Sequence, residues 1–207
     1  MRQKHKTYTP VVANATEFAS AMTGAIWTLE NTKTSDEMAH SLLLTNNSAV
    51  DHSSKTFTIV YFDENNRKVT ETKNMPGASL TVAITNPGHK IQSITPSETI
   101  GTDTMKLGTV AGVIYALPIP LNHRAESTGI ATSVTGTVNY TLQNTFSEIQ
   151  NKDAVINWKD HDDSSFVAVA VGGNTNFAFN PLAMRVVFNT FTAGAKVYLD
   201  LAPYNAN

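Results

Sequence analysis

Residues 129–146 read GIATSVTGTVNYTLQNTF, and the fold is decided by how this stretch is read. Val134, Val138, Tyr140 and Leu142 fall on one parity, with Gly136 between them. Ser133, Thr135, Thr137, Asn139, Thr141 and Gln143 fall on the other. A side-chain period of two sends these sets to opposite faces of an extended strand. β-Branched and aromatic residues suit a half-buried pleated surface. One face packs and the other stays polar, as in an antiparallel sheet with one wet side. The stretch carries no catalytic pattern; it predicts one amphipathic strand in an all-β chain.

The sequence on either side agrees. Upstream, Lys55–Phe62 alternates, turns at Asp63-Glu64-Asn65-Asn66 and returns through Arg67–Thr72, the pattern of a hairpin. Asp and Asn supply the turn because they tolerate left-handed backbone and bond their own chain. Phe57, Ile59 and Tyr61 share one face and Val60 and Phe62 the other, so this strand is expected to be covered on both sides. Further strands are expected at Gly24–Leu29, Ser41–Leu44, Leu80–Ile84 and Lys90–Thr95, with a short helical turn at Thr16–Met22. Downstream, Phe166–Val171 reads as a buried strand and Ala183–Asn189 as another. Ala193-Gly194 then turns into Lys196–Leu201 as a terminal hairpin. Turns at this spacing indicate a sandwich or barrel. The expected fold is an all-β, antiparallel β-sandwich (jelly-roll-like) or two small sandwiches, with an extended N-terminal arm. The expected division is an arm at 1–24, a first β region at 25–110, a connector at 111–127 and a second β-sandwich region at 128–207.

Composition narrows the function classes. Only 15% of the 207 residues are charged, against about 25% in an average domain. Hydrophobic residues reach 41%, enough for a real core. A charge-poor surface rich in Thr, Ser and Asn suits a protein that packs against neighbours, so a homo-oligomer is expected. The net charge of −2 lacks the basic footprint of specific or non-specific nucleic-acid binding. With no cysteine, disulfides, thiol catalysis and thiolate metal sites are excluded. No apolar run predicts a transmembrane helix, and the basic start MRQKHKTYTP is not followed by the apolar segment of a secretory signal. Three glycosylation sequons, at Asn14, Asn46 and Asn139, are read as chance matches.

Candidate sites are few. Arg2, Lys4, Lys6 and Tyr8 mark the arm, read either as a solvated terminus or as a contact to an adjacent subunit. His161-Asp162-Asp163, with His123, offers imidazole and carboxylate to a divalent ion. The competing reading is a solvated loop with Asp chosen for turns, and no metal or other cofactor is assigned. Trp158 and Trp27 are the candidate glycan contacts, against a packing role for both. No nucleophile-elbow or zinc-protease motif is present, so a non-enzymatic role is expected. Thr137, Asn139 and Thr141, on the polar face of the opening stretch, are expected to be partly covered by another subunit.

The motifs FTIVYFDENNRKVTET (57–72), GIATSVTGTVNYTLQNTF (129–146), Trp158, NPLAMRVVFN (180–189) and GAKVYLDL (194–201) follow one another in an order that resembles small β-rich virion structural proteins of tailed bacteriophages. The likeness spans most of residues 55–201. It departs after Asp63, where a glycine is usual and Glu64-Asn65-Asn66 stands, and at the end, where Ala202-Pro203-Tyr204 replaces the usual glutamine. The resemblance implies a structural component of the virion, assembled in the host cytoplasm and bound to the major capsid protein or another virion protein. A head decoration (cement) protein is the first expectation; a neck, collar or tail component, or a glycan-binding fibre or spike module, is the alternative. No binding or catalytic residue carries over.

Overall fold

A computed structural model describes residues 3–121, 127–151, 154–177 and 179–204. The chain is nearly all β, in four antiparallel sheets. It divides into two compact units, one made of 1–11 and 113–207, the other of 12–112. The second is thus inserted into the first, which we call the split unit. The boundaries expected from the sequence placed the whole N-terminus in one arm. Instead, residues 4–8 are a strand of the split unit, and residues 12–24 belong to the inserted one.

The split unit begins with β1 (Lys4–Tyr8). The chain then makes the inserted unit: β2 (Ala19–Met22), β3 (Leu42–Asn46), β4 (Thr56–Asp63), β5 (Lys68–Asn74), β6 (Thr81–Ala83), β7 (Gly88–Pro96) and β8 (Met105–Thr109). It returns with β9 (Ile114–Tyr115), β10 (Ile119–Pro120), β11 (Ser127–Thr135), β12 (Val138–Thr145), β13 (Lys159–Asp160), β14 (Gly173–Phe177), β15 (Ala183–Phe191) and β16 (Lys196–Tyr204). One 3-10 turn covers Ser164–Phe166. No helix among the described residues is long and apolar enough to cross a membrane.

In the inserted unit the sheets run β2-β8-β3-β6 and β5-β4-β7. Leu42, Leu44, Phe57, Ile59, Tyr61, Ile91, Met105 and Leu107 meet in its core, each fully or almost fully buried. Each such side chain contributes about 1.5–3 kcal/mol relative to exposure. The β4–β5 hairpin forms where the sequence predicts it. Asp63, itself buried, accepts from the backbone N–H of Asn65 (2.9 Å) and Arg67 (2.8 Å) and pairs with the Arg67 guanidinium (3.2 Å). Asn66 takes φ +60°, the left-handed position where glycine is usual, and asparagine is among the few residues that accept it. The outward side of β4, Val60 and Phe62 included, is half-buried.

Two local expectations fail here. Thr16–Met22 is not helical: Thr16–Phe18 form a turn and bend and Ala19–Met22 is strand β2, because β2 pairs with β8 and Phe18 donates its N–H to the Leu107 carbonyl at 3.0 Å. Those partners exceed what one isolated helical turn can supply. Gly24–Leu29 forms no strand: Ile26 is exposed and Trp27 is buried in the core.

The split unit is a sandwich of sheets β1-β16-β11-β14 and β10-β15-β12-β13, with β9 also on β15. The opening stretch is not one strand in one sheet. β11 pairs with β14 and β16; β12 pairs with β13 and β15 in the opposing sheet. The chain changes sheets at Gly136 (φ +75°) and changes back at Gly194 (φ +80°). Thr135 faces Lys196 and Val138 faces Phe191, and Thr192 donates to the Thr137 carbonyl (2.9 Å) between them. β11–β12 and β15–β16 are therefore one long antiparallel ribbon, folded across its middle so that its two halves face each other. A Cβ on Gly136 would lie 3.0 Å from Ala195 Cα, which shows how close the corners come. The expected terminal hairpin between β15 and β16 is this corner, not a pair of neighbours. Parity survives the fold: Ile130, Val138, Tyr140 and Leu142 all point inward.

Candidate functional site

The densest group of polar and aromatic side chains lies on the outward face of the sheet built on β12 and β15. In that sheet Tyr140, Leu142, Val186 and Phe188 fill the core, so their neighbours Thr141, Gln143, Val187 and Arg185 must face out. Tyr115 of β9 stands opposite Val187, and Asp160 of β13 opposite Gln143. The Arg185 guanidinium is held between two rings, 4.2 Å from the Trp158 centroid and 4.6 Å from that of Tyr115. It donates from Nε to Gln143 Oε1 (2.9 Å), and Gln143 Nε2 donates to Asp160 Oδ1 (3.0 Å). Arg185 is 5% exposed, and both rings are half-buried. A guanidinium over an aromatic face is attracted by the ring quadrupole, by about 2 kcal/mol once desolvated. One face of the Trp158 ring is thus in contact with Arg185. Trp27, the other glycan candidate, is 7% exposed and belongs to the core of the inserted unit.

On β12 the polar face of the opening stretch is covered by the chain itself, while Ser133, Thr135 and Thr137 are exposed. Residues 157–169 run along β12. Thr145 donates to the Asn157 carbonyl (2.8 Å), His161 N–H to that of Leu142 (2.9 Å), and Tyr140 and Val169 exchange two backbone bonds of 2.9 Å. Asn139 Nδ2 donates to the Ala168 carbonyl (2.7 Å), and Ala168 N–H donates to Thr141 Oγ1 (3.0 Å). Asn189 Nδ2 donates to Asn139 Oδ1 (2.7 Å). Ala168 is held at φ +54°, where an alanine is strained, by these bonds on both sides of it. The expected buried strand at Phe166–Val171 is this covering segment: Phe166 is buried, Val171 is exposed, and only Val169 bridges to β12. Of the three residues expected to meet another subunit, Thr141 is buried and Asn139 half-buried under the chain's own loop, and Thr137 is exposed at the corner.

His161, Asp162 and Asp163 do not converge. The imidazole is 6% exposed between Phe177 (centroids 4.9 Å apart) and Phe166 (5.7 Å), and its Nδ1 accepts from the Asp163 N–H (3.0 Å). Burial lowers its pKa against the pull of Asp163 and Asp162. Asp163 caps the 3-10 turn by accepting from the Ser165 hydroxyl (2.6 Å) and N–H (2.9 Å), bonds that hold its own pKa below the usual range. Among the described residues no three His, Asp or Glu side chains form a metal-binding group. His123 lies outside the described residues, as does Arg2. Burial of Trp27 and His161 has no signal in a single sequence. The pairing of Arg185 with Trp158 had one: a lone arginine inside an apolar strand needs a partner.

The arm residues pair within their own chain. β1 lies antiparallel on β16, with Lys4 opposite Leu201 and Tyr8 opposite Val197. Lys4 Nζ donates to the Pro120 carbonyl (3.0 Å), and Tyr8 meets the ring of Phe188 at 6.2 Å. No family model matches the chain, and no curated protein matches it.

Proposed function

We propose that the chain is a structural, non-enzymatic component of a tailed-phage virion that works by surface complementarity, first as a head decoration protein and otherwise in the neck, collar or tail. One observation supports this reading above the others. The segments that carry the resemblance fall on strands of both units: the β4–β5 hairpin of the inserted unit and the folded ribbon β11–β12 with β15–β16 of the split unit, with Trp158 beside it. The likeness therefore lies in architecture rather than in a site. Internal bonding of the polar clusters points the same way. The Arg185 group, the Asn139–Ala168 group and the Asp163 cap each bond within the chain. A repeated β module of low charge fits a particle in which one patch is reused many times by symmetry.

The test is particle composition. Phage particles purified from a producing culture by density gradient are analysed by mass spectrometry. This chain is expected in multiple copies per particle, at a fixed ratio to the major capsid protein. Its presence in the lysate but absence from the particles would overturn the reading. Glycan-array binding lost in Trp158→Ala would favour the adhesive module instead.

A further inference from the structure

We infer that the edge of β16 covered by β1 accepts residues 4–8 of a second copy of this chain in place of its own, so that copies link by exchanging β1. Three observations carry this. The docking geometry is already explicit, with a register from Lys4–Leu201 to Tyr8–Val197. It is fixed on the outward side by His5 Nδ1 against Asp200 Oδ1 at 2.7 Å and by the His5 ring stacked on Tyr198. Inward, Tyr8 sits against Phe188, and burial pushes its hydroxyl pKa up. Any copy of the segment meets the same partners on any copy of β16.

The bound segment is also lightly held. His5, Lys6 and Thr7 are exposed, and among the described residues β1 has a neighbouring strand on one side only. Finally, the chain leaves β1 for the inserted unit and rejoins the split unit only at Val113, so the strand is tied to its own sheet through a whole folded unit. A tethered strand competes with a neighbour's only through its effective concentration, on the order of millimolar for a short flexible link. Copies crowded on one surface reach that range. The contacts are the same in the closed and exchanged states, so crowding alone tips the balance, as in other swapped elements. This inference rests on the reading above only in requiring that copies meet; the purified full-length protein tests it without a particle.

Because the chain has no cysteine, the test is direct. Directly opposed residues on antiparallel strands lie about 4.5–5.5 Å apart at Cα, within disulfide range. Full-length His5→Cys and Asp200→Cys chains, one carrying a size tag, are mixed under oxidising conditions across a range of concentrations. A covalent heterodimer can form on this register only if β1 of one chain lies on β16 of the other. We expect heterodimer to exceed the two homodimers and to rise about tenfold for each tenfold in concentration below the millimolar range. The doubly substituted chain should close within itself when dilute. A heterodimer no more abundant than the homodimers at every concentration, while the double variant closes within itself, overturns the inference. The Thr7→Cys and Tyr198→Cys pair repeats the test two register positions on, on the same face of the strand. Failure of both double variants to close overturns the register, and the inference with it.

Discussion

Tyr140 joins the two halves of the split unit, and removing its hydroxyl is the sharpest probe of how they are held. The ring is fully buried in β12. Its hydroxyl donates to the Val171 carbonyl (3.0 Å) and meets Thr132 Oγ1 of β11 at 2.8 Å. Thr132 Oγ1 in turn accepts from the Gly173 N–H (3.1 Å). Thr132 Oγ1 also reaches the Gly173 carbonyl (3.3 Å), so Gly173, Thr132, Tyr140 and Val171 are joined in one network of bonds. Tyr140→Phe keeps the packing and breaks two of these links. At about 1 kcal/mol net per bond, the cost is about 2 kcal/mol. Thr132→Val takes this acceptor from the half-buried Gly173 N–H and costs about 1 kcal/mol. Because both act on one chain of bonds, the double variant should cost less than the sum, by about 0.5 kcal/mol or more.

The two tryptophans fall in different units, Trp27 in the inserted one and Trp158 in the split one. A Trp27→Phe background therefore reports the split unit alone in urea unfolding. With a slope of about 2 kcal/mol per M, Tyr140→Phe should lower the midpoint by about 1 M with the slope unchanged. A shift below about 0.3 M, or strict additivity in the double variant, would refute the shared network.

Two further outcomes follow from named side chains. His89 has a pKa lowered to about 4, because burial disfavours the imidazolium more than the Asp63 charge favours it. The unfolded chain takes up that proton near 6.5 and the folded one near 4, so stability of the inserted unit should fall as pH drops through that window. The full effect is about 3 kcal/mol, read from Trp27 in a Trp158→Phe background, and His89→Gln should flatten it. An unchanged slope in His89→Gln would show that another group titrates. Arg185→Lys removes the planar group between Trp158 and Tyr115, and should cost about 1–2 kcal/mol and shift Trp158 emission to the red; an unshifted spectrum would count against the stack.

Local chemistry was legible in the sequence wherever neighbours along the chain decide it. The β4–β5 hairpin follows from its alternation and from Asp63, and Asn66 explains how the turn closes without glycine. The parity of residues 129–146 also reads correctly, because folding the ribbon leaves the same side concave. What the alternation does not encode is where a strand finds its partners. β11 pairs with residues 173–177 and 196–204, β12 with 159–160 and 183–191, so the change of sheet at Gly136 is fixed by distant chain. The same holds for the candidate sites. Trp27 and His161 look exposed or buried only once their long-range neighbours are in place. The polar face of β12 looks unpartnered until residues 157–169 return to cover it.

The pairing of β1 with β16 also sets an order in time. Lys4 is made long before its partner Leu201. At about 5–20 residues per second, a ribosome needs on the order of ten to forty seconds to deliver that partner. The inserted unit is contiguous and is completed within this interval. The split unit closes only once β16 has been made, and until then β1 of a nascent chain has no edge of its own to join.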